Sequence, residues 1–347
     1  MTAGIRASSA ATLRLMLPAA LAVTVGGLIL TALGKDPLAY YGYVVKRGLL
    51  SWGGLQETLN RMAPLLLIAA GLIVAFRAGL WNLGGDGQFL LAAVVTAALG
   101  PALIGVLPRA ALLIVCMVAA ALTGALWSLI PAVLKARYGV NEVVSSLMMS
   151  FLGTSCANLL VKTVLRDAST SVPRTPDLPV DERLPQIFHT HIHAGVLIAL
   201  VVVVAVHLMI TRTAFGLKVQ VVGANPAAAL HAGLNVGRLT IATFALSASL
   251  VGLAGSIEIL GVWGTVRADW NPAFGLLVVP VVFLARLNGY AVIALTLCLS
   301  ALMIGAESAA RRTDVQQHYV WVLLALLLIF LAVVEHLHHL RHKRLAL

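Results

Sequence analysis

Apolar runs long enough to cross a lipid bilayer recur along the whole chain, beginning with Leu15 to Leu33, and no other feature limits the fold so sharply. A helix needs about 20 mostly apolar residues to span a hydrocarbon core of roughly 30 Å, where no water satisfies backbone N–H and C=O groups. The runs lack the alternating period of barrel strands, so the expected fold is all-α, with roughly ten transmembrane helices in one membrane domain, residues 1–347. Expected spans are 13–34, 62–76, 87–107, 109–134, 143–166, 194–211, 240–262, 275–287, 288–306 and 318–335. The second and eighth are short. Short or Gly-interrupted segments in transporters mark broken helices along a solute path, and Gly79 to Gln88, directly after the second span, carries four glycines.

Composition agrees with lipid as the solvent: 60% of the 347 residues are hydrophobic and 11% charged, against roughly a quarter charged in soluble domains. The net charge of +11 is scattered over short connectors, so the expected anionic neighbour is the lipid headgroup and not nucleic acid. Cys116, Cys156 and Cys298 lie in apolar stretches without metal-ligand or redox spacing. The first run exceeds a signal-peptide core and lacks a small-residue cleavage site, so it reads as a retained helix. Lys and Arg do not orient the chain: Arg77, Lys135, Arg137, Arg212 and Lys218 on one side are matched by Lys46, Arg47, Arg311 and Arg312 on the other.

The connector 211–239 is long for a chain so economical with loops. Asn225 is a good N-cap, Pro226 fits the first helical position, Ala227 to Ala232 favour helix, and Gly233 suits a left-handed C-terminal position. A helix of about two turns follows, too short to be stable alone, and docking to a partner is the favoured reason for it. The loop 167–193, with Pro173, Pro176, Pro179 and Pro185, reads as an irregular external cap.

Five ordered segments carry a resemblance. Gly79-Leu80-Trp81-Asn82-Leu83-Gly84-Gly85-Asp86-Gly87-Gln88 resembles the "GLFNIGxEGQ" segment of nucleoside and simple-sugar permeases of ATP-binding-cassette importers. Lys135 to Ser145 resembles their "LKAxxGVNEVIS". Phe215-Gly216 through Gly223-Ala224-Asn225-Pro226 to Gly233 resembles "FGxxLRAVGxNPxAAxxAG". Leu246 to Ile257 resembles "SGALAGLAG", and Pro280 to Asn288 resembles "PVAFLARLNP". The similarity covers residues from about 60 to 290. Gln220 stands where the family usually has Arg, His231 where Tyr is common, and Leu277 and Gly289 replace a usual Thr and Pro.

The resemblance implies a type II importer-like permease with broken helices, passing a nucleoside, purine-like base or simple sugar. It implies that Gly216, Gln220, Gly223, Asn225, Pro226, Ala229 and Gly233 form the loop that couples to the motor. It further implies a two-site ATPase subunit holding ATP and Mg, a second homologous permease subunit and an external substrate-binding (lipoprotein) component. The location would be the bacterial plasma (inner) membrane, with both termini and the basic tail 336–347 cytoplasmic.

The chain is not read as the motor: its one Gly-Lys, Gly34-Lys35, is followed by Asp36, whereas a P-loop ends in Lys and then Ser or Thr. No cofactor is expected on it. Asn82, Asp86 and Gln88 are the expected pathway residues, since polar groups at membrane depth turn to a cavity or a partner; the alternative is that they satisfy the backbone of a helix break. Glu258 faces away from a seam of Ala248, Gly252 and Ser256; it is read as lining the pathway or, preferred, as reaching water at the outer helix end. Asn141 and Glu142 read as helix-capping groups. The histidines at 189, 191 and 193 and at 336, 338, 339 and 342 lack the arrangement of a catalytic zinc motif, and the tail reads as a headgroup anchor. Two other classes remain. An ion-coupled secondary transporter would share the broken helices but need no ATPase. An intramembrane enzyme would need a nucleophile and base, or a metal cluster, and neither Gly-x-Ser-x-Gly nor HExxH is present.

Overall fold

The structure is a computed structural model describing the backbone of residues 2–313, 315–316 and 319–345, with side chains except those of 2–16, 313, 328, 331, 335–336 and 338–345. The side chains of the tail residues His336, His338, His339, Arg341, His342, Lys343 and Arg344 therefore lie outside the described residues.

Fourteen α-helices follow one another among the described residues: α1 (Thr2–Ala32), α2 (Pro37–Val45), α3 (Trp52–Arg77), α4 (Gly85–Leu103), α5 (Arg109–Tyr138), α6 (Glu142–Lys162), α7 (Gly195–Arg212), α8 (Ala214–Ala224), α9 (Pro226–His231), α10 (Val236–Glu258), α11 (Phe274–Leu277), α12 (Val279–Leu284), α13 (Gly289–Thr313) and α14 (Tyr319–Leu345). Two π-helical segments, Lys46–Leu50 and Ile259–Trp263, extend α2 and α10. Every expected span contains helix, but among the described residues seven helices are long and apolar enough to cross a membrane: α3 to α7, α10 with its π extension, and α13. Roughly ten crossings are thus not established. The second expected span is not short, since α3 starts at Trp52. The eighth is two short helices over Phe274–Leu284, about half the length a crossing requires.

The chain forms two compact units, one of residues 1–58 and 298–347, the other of 59–297. In the first, α1 packs on α14. Gly26 leaves room there for Leu323 and for the hydroxyls of Tyr41 and Tyr319. Asp36 caps α2, accepting from the N–H of Leu38 (2.9 Å) and Ala39 (3.2 Å).

In the second, α3 is the interior helix: Met62 to Ile73 are almost wholly buried, as expected of a helix apolar on all sides. α5 shows how the periphery is built. Leu112, Cys116, Ala120, Gly124 and Ser128 form a buried ridge at four-residue spacing, while Ile114, Val118, Leu122, Leu126 and Ile130 form an exposed one on the opposite face. Small residues inward permit close approach to a neighbour, and large apolar ones outward suit lipid. Ala248 and Gly252 of the expected seam meet that buried ridge, with Gly252 against the carbonyl of Ala120 and Gly124 against that of Ala248. Gly255, on another face of α10, lies against the Phe89 carbonyl of α4.

The loop 167–193 is ordered by its contacts with the segment 260–266. Thr175 and Leu178 donate their backbone N–H groups to Val266 and Gly264, and Leu184 donates to Leu260 (2.9 Å). The Arg183 guanidinium reaches the carbonyls of Leu178 (2.8 Å) and Val262 (3.1 Å).

Candidate functional site

Three polar regions of the second unit bear on function. The first is the interruption between α3 and α4. Gly79 takes φ +70 after α3 ends, and residues 80–84 are non-helical. Asn82 and Gln88 pair reciprocally: Asn82 Nδ2 donates to Gln88 Oε1 (3.1 Å) and Gln88 Nε2 to Asn82 Oδ1 (3.0 Å). Asn82 also donates to Ser247 Oγ of α10 (3.1 Å) and accepts from the N–H of Gly84 (3.2 Å). Ser146 and Ser150 of α6 accept from the N–H groups of Leu83 and Gly87, both at 3.1 Å. Asp86 Oδ1 accepts from the N–H of Gly275 at the start of α11 (2.8 Å). Asn82 and Gln88 are 1% exposed. Their amides are spent on closing the break, the structural role weighed from the sequence, and Asp86 ties α4 to α11.

The second region surrounds Glu258. The expectation that it reaches water is overturned: the helix runs on past α10 as the π-helix Ile259–Trp263, covered by the loop 167–193, and Glu258 is 1% exposed. Its Oε1 accepts from the indole Nε1 of Trp263 (2.9 Å) and lies 3.9 Å from Arg61 Nη1 of α3. The Arg61 guanidinium sits 5.5 Å from the ring centroid of Phe274, within cation–π range. Phe274 packs edge-on against Phe89 (5.6 Å), Phe89 lies 5.9 Å from Trp270, and Trp270 lies 6.2 Å from Trp263. π-helical turns are frequent at functional sites. A carboxylate, a guanidinium and four aromatic rings together provide an acceptor, donors and flat apolar faces. Of these only Glu258 was singled out from the sequence. Arg61 falls one residue before the expected second span, and an arginine embedded in an apolar helix is the signal that marks it.

The third region is the connector. Asn225 Oδ1 accepts from the N–H of Ala227 (3.0 Å) and Ala228 (3.1 Å), with Pro226 first in α9. Gly233 adopts φ +77, and the Leu234 N–H returns to the Ala229 carbonyl (3.0 Å), closing a Schellman motif. Ala229 is buried while Leu217 and Leu230 are exposed. A further helix, α8, precedes α9. Gly216 lies against the Met209 and Ile210 carbonyls, and Gln220 Nε2 donates to the Ile210 carbonyl (2.8 Å), so Gln220 points into its own chain. Gly223 rests on the backbone of Arg77 and Ala78, where a Cβ would collide with the Arg77 carbonyl. Arg77 Nη2 in turn donates to the Leu287 carbonyl (3.1 Å), in a turn where Arg286 and Leu287 both take positive φ. Non-glycine residues held there cost of order 1–3 kcal/mol each. The connector thus touches the end of α3, and Arg77 there reaches the turn leading into α13.

Elsewhere, Asn141 caps α6 (Val143 N–H at 2.9 Å) and Glu142 pairs with Lys135 at 2.7 Å. Of the loop histidines, His193 is buried beside Gly195 and Gly261, and burial pulls its pKa down to about 4.

Long apolar helices with interior and exposed apolar faces, buried polar groups closing a helix break and a capped connector between two of those helices together define a multi-pass α-helical membrane protein. The chain belongs to the permease family described as branched-chain amino acid transport system / permease component, which matches residues 54–333. It is 33% identical over 327 residues to the glucose ABC transporter permease protein TsgB13 of Haloferax volcanii, covering 90% of this chain and 85% of that one. It is 28% identical over 306 residues to the guanosine ABC transporter permease protein NupP of Bacillus subtilis, covering 84% and 86%. With the nucleoside ABC transporter permease protein NupB of Lactococcus lactis it shares 26% identity over 241 residues, covering 67% and 66%.

Proposed function

We propose that this chain is the membrane-spanning subunit of an ATP-binding-cassette importer for a nucleoside, purine-like base or simple sugar. The observation that carries this reading is the seating of Gly223 on the Arg77–Ala78 backbone. A rigid, doubly capped lever outside the membrane bears on the end of the interior helix, so displacement of α8 and α9 by a nucleotide-driven partner is passed on without a flexible link. The exposed Leu217 and Leu230 supply apolar surface for that partner. The motor is a separate two-site ATPase carrying ATP and Mg, working with a second homologous permease and an external binding protein. Both termini face the cytoplasm of a bacterial plasma membrane.

The solute is a polar ring compound because Arg61 and Glu258 stand beside Phe89, Phe274, Trp263 and Trp270. Aromatic faces stack on a base or on the C–H face of a sugar, while the charged pair hydrogen-bonds its edge. Asn82, Asp86 and Gln88 serve this path by fixing the break and α11, with Glu258 the group nearest the solute. The test is co-purification of the tagged chain from native membranes, followed by ATPase assays with uridine, adenosine, purine bases, ribose and glucose. Recovery of an ATPase and stimulation by one of these solutes with its binding protein is the expected result. A chain that purifies alone and moves solute in ATP-free proteoliposomes on an ion gradient overturns the reading.

A further inference from the structure

In the first unit, a cavity of about 610 Å³ is lined by four cations, Lys46, Arg47, Arg311 and Arg312, together with Tyr43, Ser51 and Ser308, which carry hydroxyls. That volume suits a small ligand. Among the described residues the one ion pair these cations make is Arg47 with Glu57, at 3.4 Å. Like charges gathered into one concavity repel one another, and an anion placed among them offsets that repulsion.

The walls are held by close backbone contacts. Gly48, in the π-helical segment carrying Lys46 and Arg47, lies against the Ala301 carbonyl of α13, and Gly305 lies against Val44 of α2. Thr58 Oγ1 donates to the Gly48 carbonyl (2.8 Å). This clamp fixes Lys46 and Arg47 beside the α13 turn that follows with Ser308, Arg311 and Arg312. Arg47 Nη1 donates to Ser51 Oγ (3.5 Å), and the Arg312 guanidinium stacks 5.5 Å from the Tyr43 ring centroid, so two cations are already oriented.

We infer that this cavity is a binding site for a phosphate group. Guanidinium forks match phosphate oxygens in pairs, a lysine adds a point charge and hydroxyls add donors. The site ends the apolar run of α13, and exposed Leu49, Leu50 and Trp52 adjoin it, as expected at the level where hydrocarbon gives way to headgroups. The phosphate is therefore that of a phospholipid headgroup or of a soluble phosphate compound.

The experiment measures binding of dihexanoyl phosphatidylglycerol, dihexanoyl phosphatidylcholine and inorganic pyrophosphate to the purified full chain, by thermal shift and titration, for wild type, R311Q/R312Q and K46Q. The expected result is saturable binding of phosphatidylglycerol or pyrophosphate that weakens at least tenfold in R311Q/R312Q and with added salt, and less in K46Q. Preference for phosphatidylglycerol assigns a lipid site, and preference for pyrophosphate a soluble ligand. K46Q carries the test if R311Q/R312Q does not fold. Binding of neither anion, or equal binding by wild type and folded variants, overturns the site. Solute transport is not read, so failure here leaves the importer reading standing, and the reverse.

Discussion

The break at residues 78–84 and the connector at 213–235 are both polar interruptions between long apolar helices, yet opposite means hold them. At the break, backbone and side-chain groups are satisfied by distant chain: Ser247 from α10, Ser146 and Ser150 from α6, and Gly275, whose N–H donates to Asp86. At the connector the satisfying groups are neighbours in sequence, with Asn225 binding two and three residues ahead and Leu234 returning to Ala229. Buried among apolar helices, the break meets no water to stand in for a missing partner and must draw on the tertiary structure; at the exposed connector, local capping suffices for a short helix that packing then anchors. The two meet where Gly223 seats against Arg77 and Ala78.

Four measurements break or sharpen this contrast. The largest effect is expected where the regions touch: Gly223→Arg drives a side chain into the Arg77 carbonyl, and solute uptake should fall at least a hundredfold while membrane insertion, followed by surface labelling, is retained. Normal uptake by an inserted variant removes the connector from the coupling path.

His193 extends the comparison to a buried group with neither kind of partner, since both ring nitrogens lack a hydrogen bond. Its folded pKa of about 4 lies below the usual value of 6.5, so the unfolded chain binds the extra proton first. Stability should be full above about pH 6.5 and fall as pH drops toward 4, by up to about 3 kcal/mol. Thermal melting against pH should show that slope in wild type and a flatter one in His193→Leu.

Asn82→Leu leaves Gln88 without its buried partner and should cost about 1–3 kcal/mol in unfolding free energy. Asn82→Leu with Gln88→Leu should cost less than the two single changes added together, because the pair is removed as one; strict additivity in a denaturant cycle would refute the reciprocal pairing. The smallest effect belongs to Asn225→Ala. Loss of the cap should cost about 1 kcal/mol, confined to α9 and visible as faster hydrogen exchange at Ala227 and Ala228, with the global melting temperature nearly unchanged.

The same contrast explains what could be read in advance. α9 was legible because cap, Pro226 and Gly233 are local signals. α8 was not: Ala214–Ala224 holds two glycines and three valines, poor helix formers, and the helix is secured by Gln220 and Gly216 against the end of α7. The start of α3 was missed because Gln56, Asn60 and Arg61 look like loop residues. Asn60 instead donates to the His191 carbonyl (2.7 Å) and accepts from the His193 N–H (3.1 Å), and Arg61 faces Glu258.

By itself, the sequence determined that the chain is helical and membrane-spanning, which turn residues stop its helices, and which permeases it resembles, because hydrophobic length, capping and ordered motifs are properties of neighbouring residues. Only the tertiary structure decided that Asn82 and Gln88 serve each other, that Glu258 is buried against Arg61 and Trp263, and that the connector bears on α3. Those outcomes depend on which distant groups arrive at each polar atom, and in a medium without water the arrival of a partner settles a polar side chain's role.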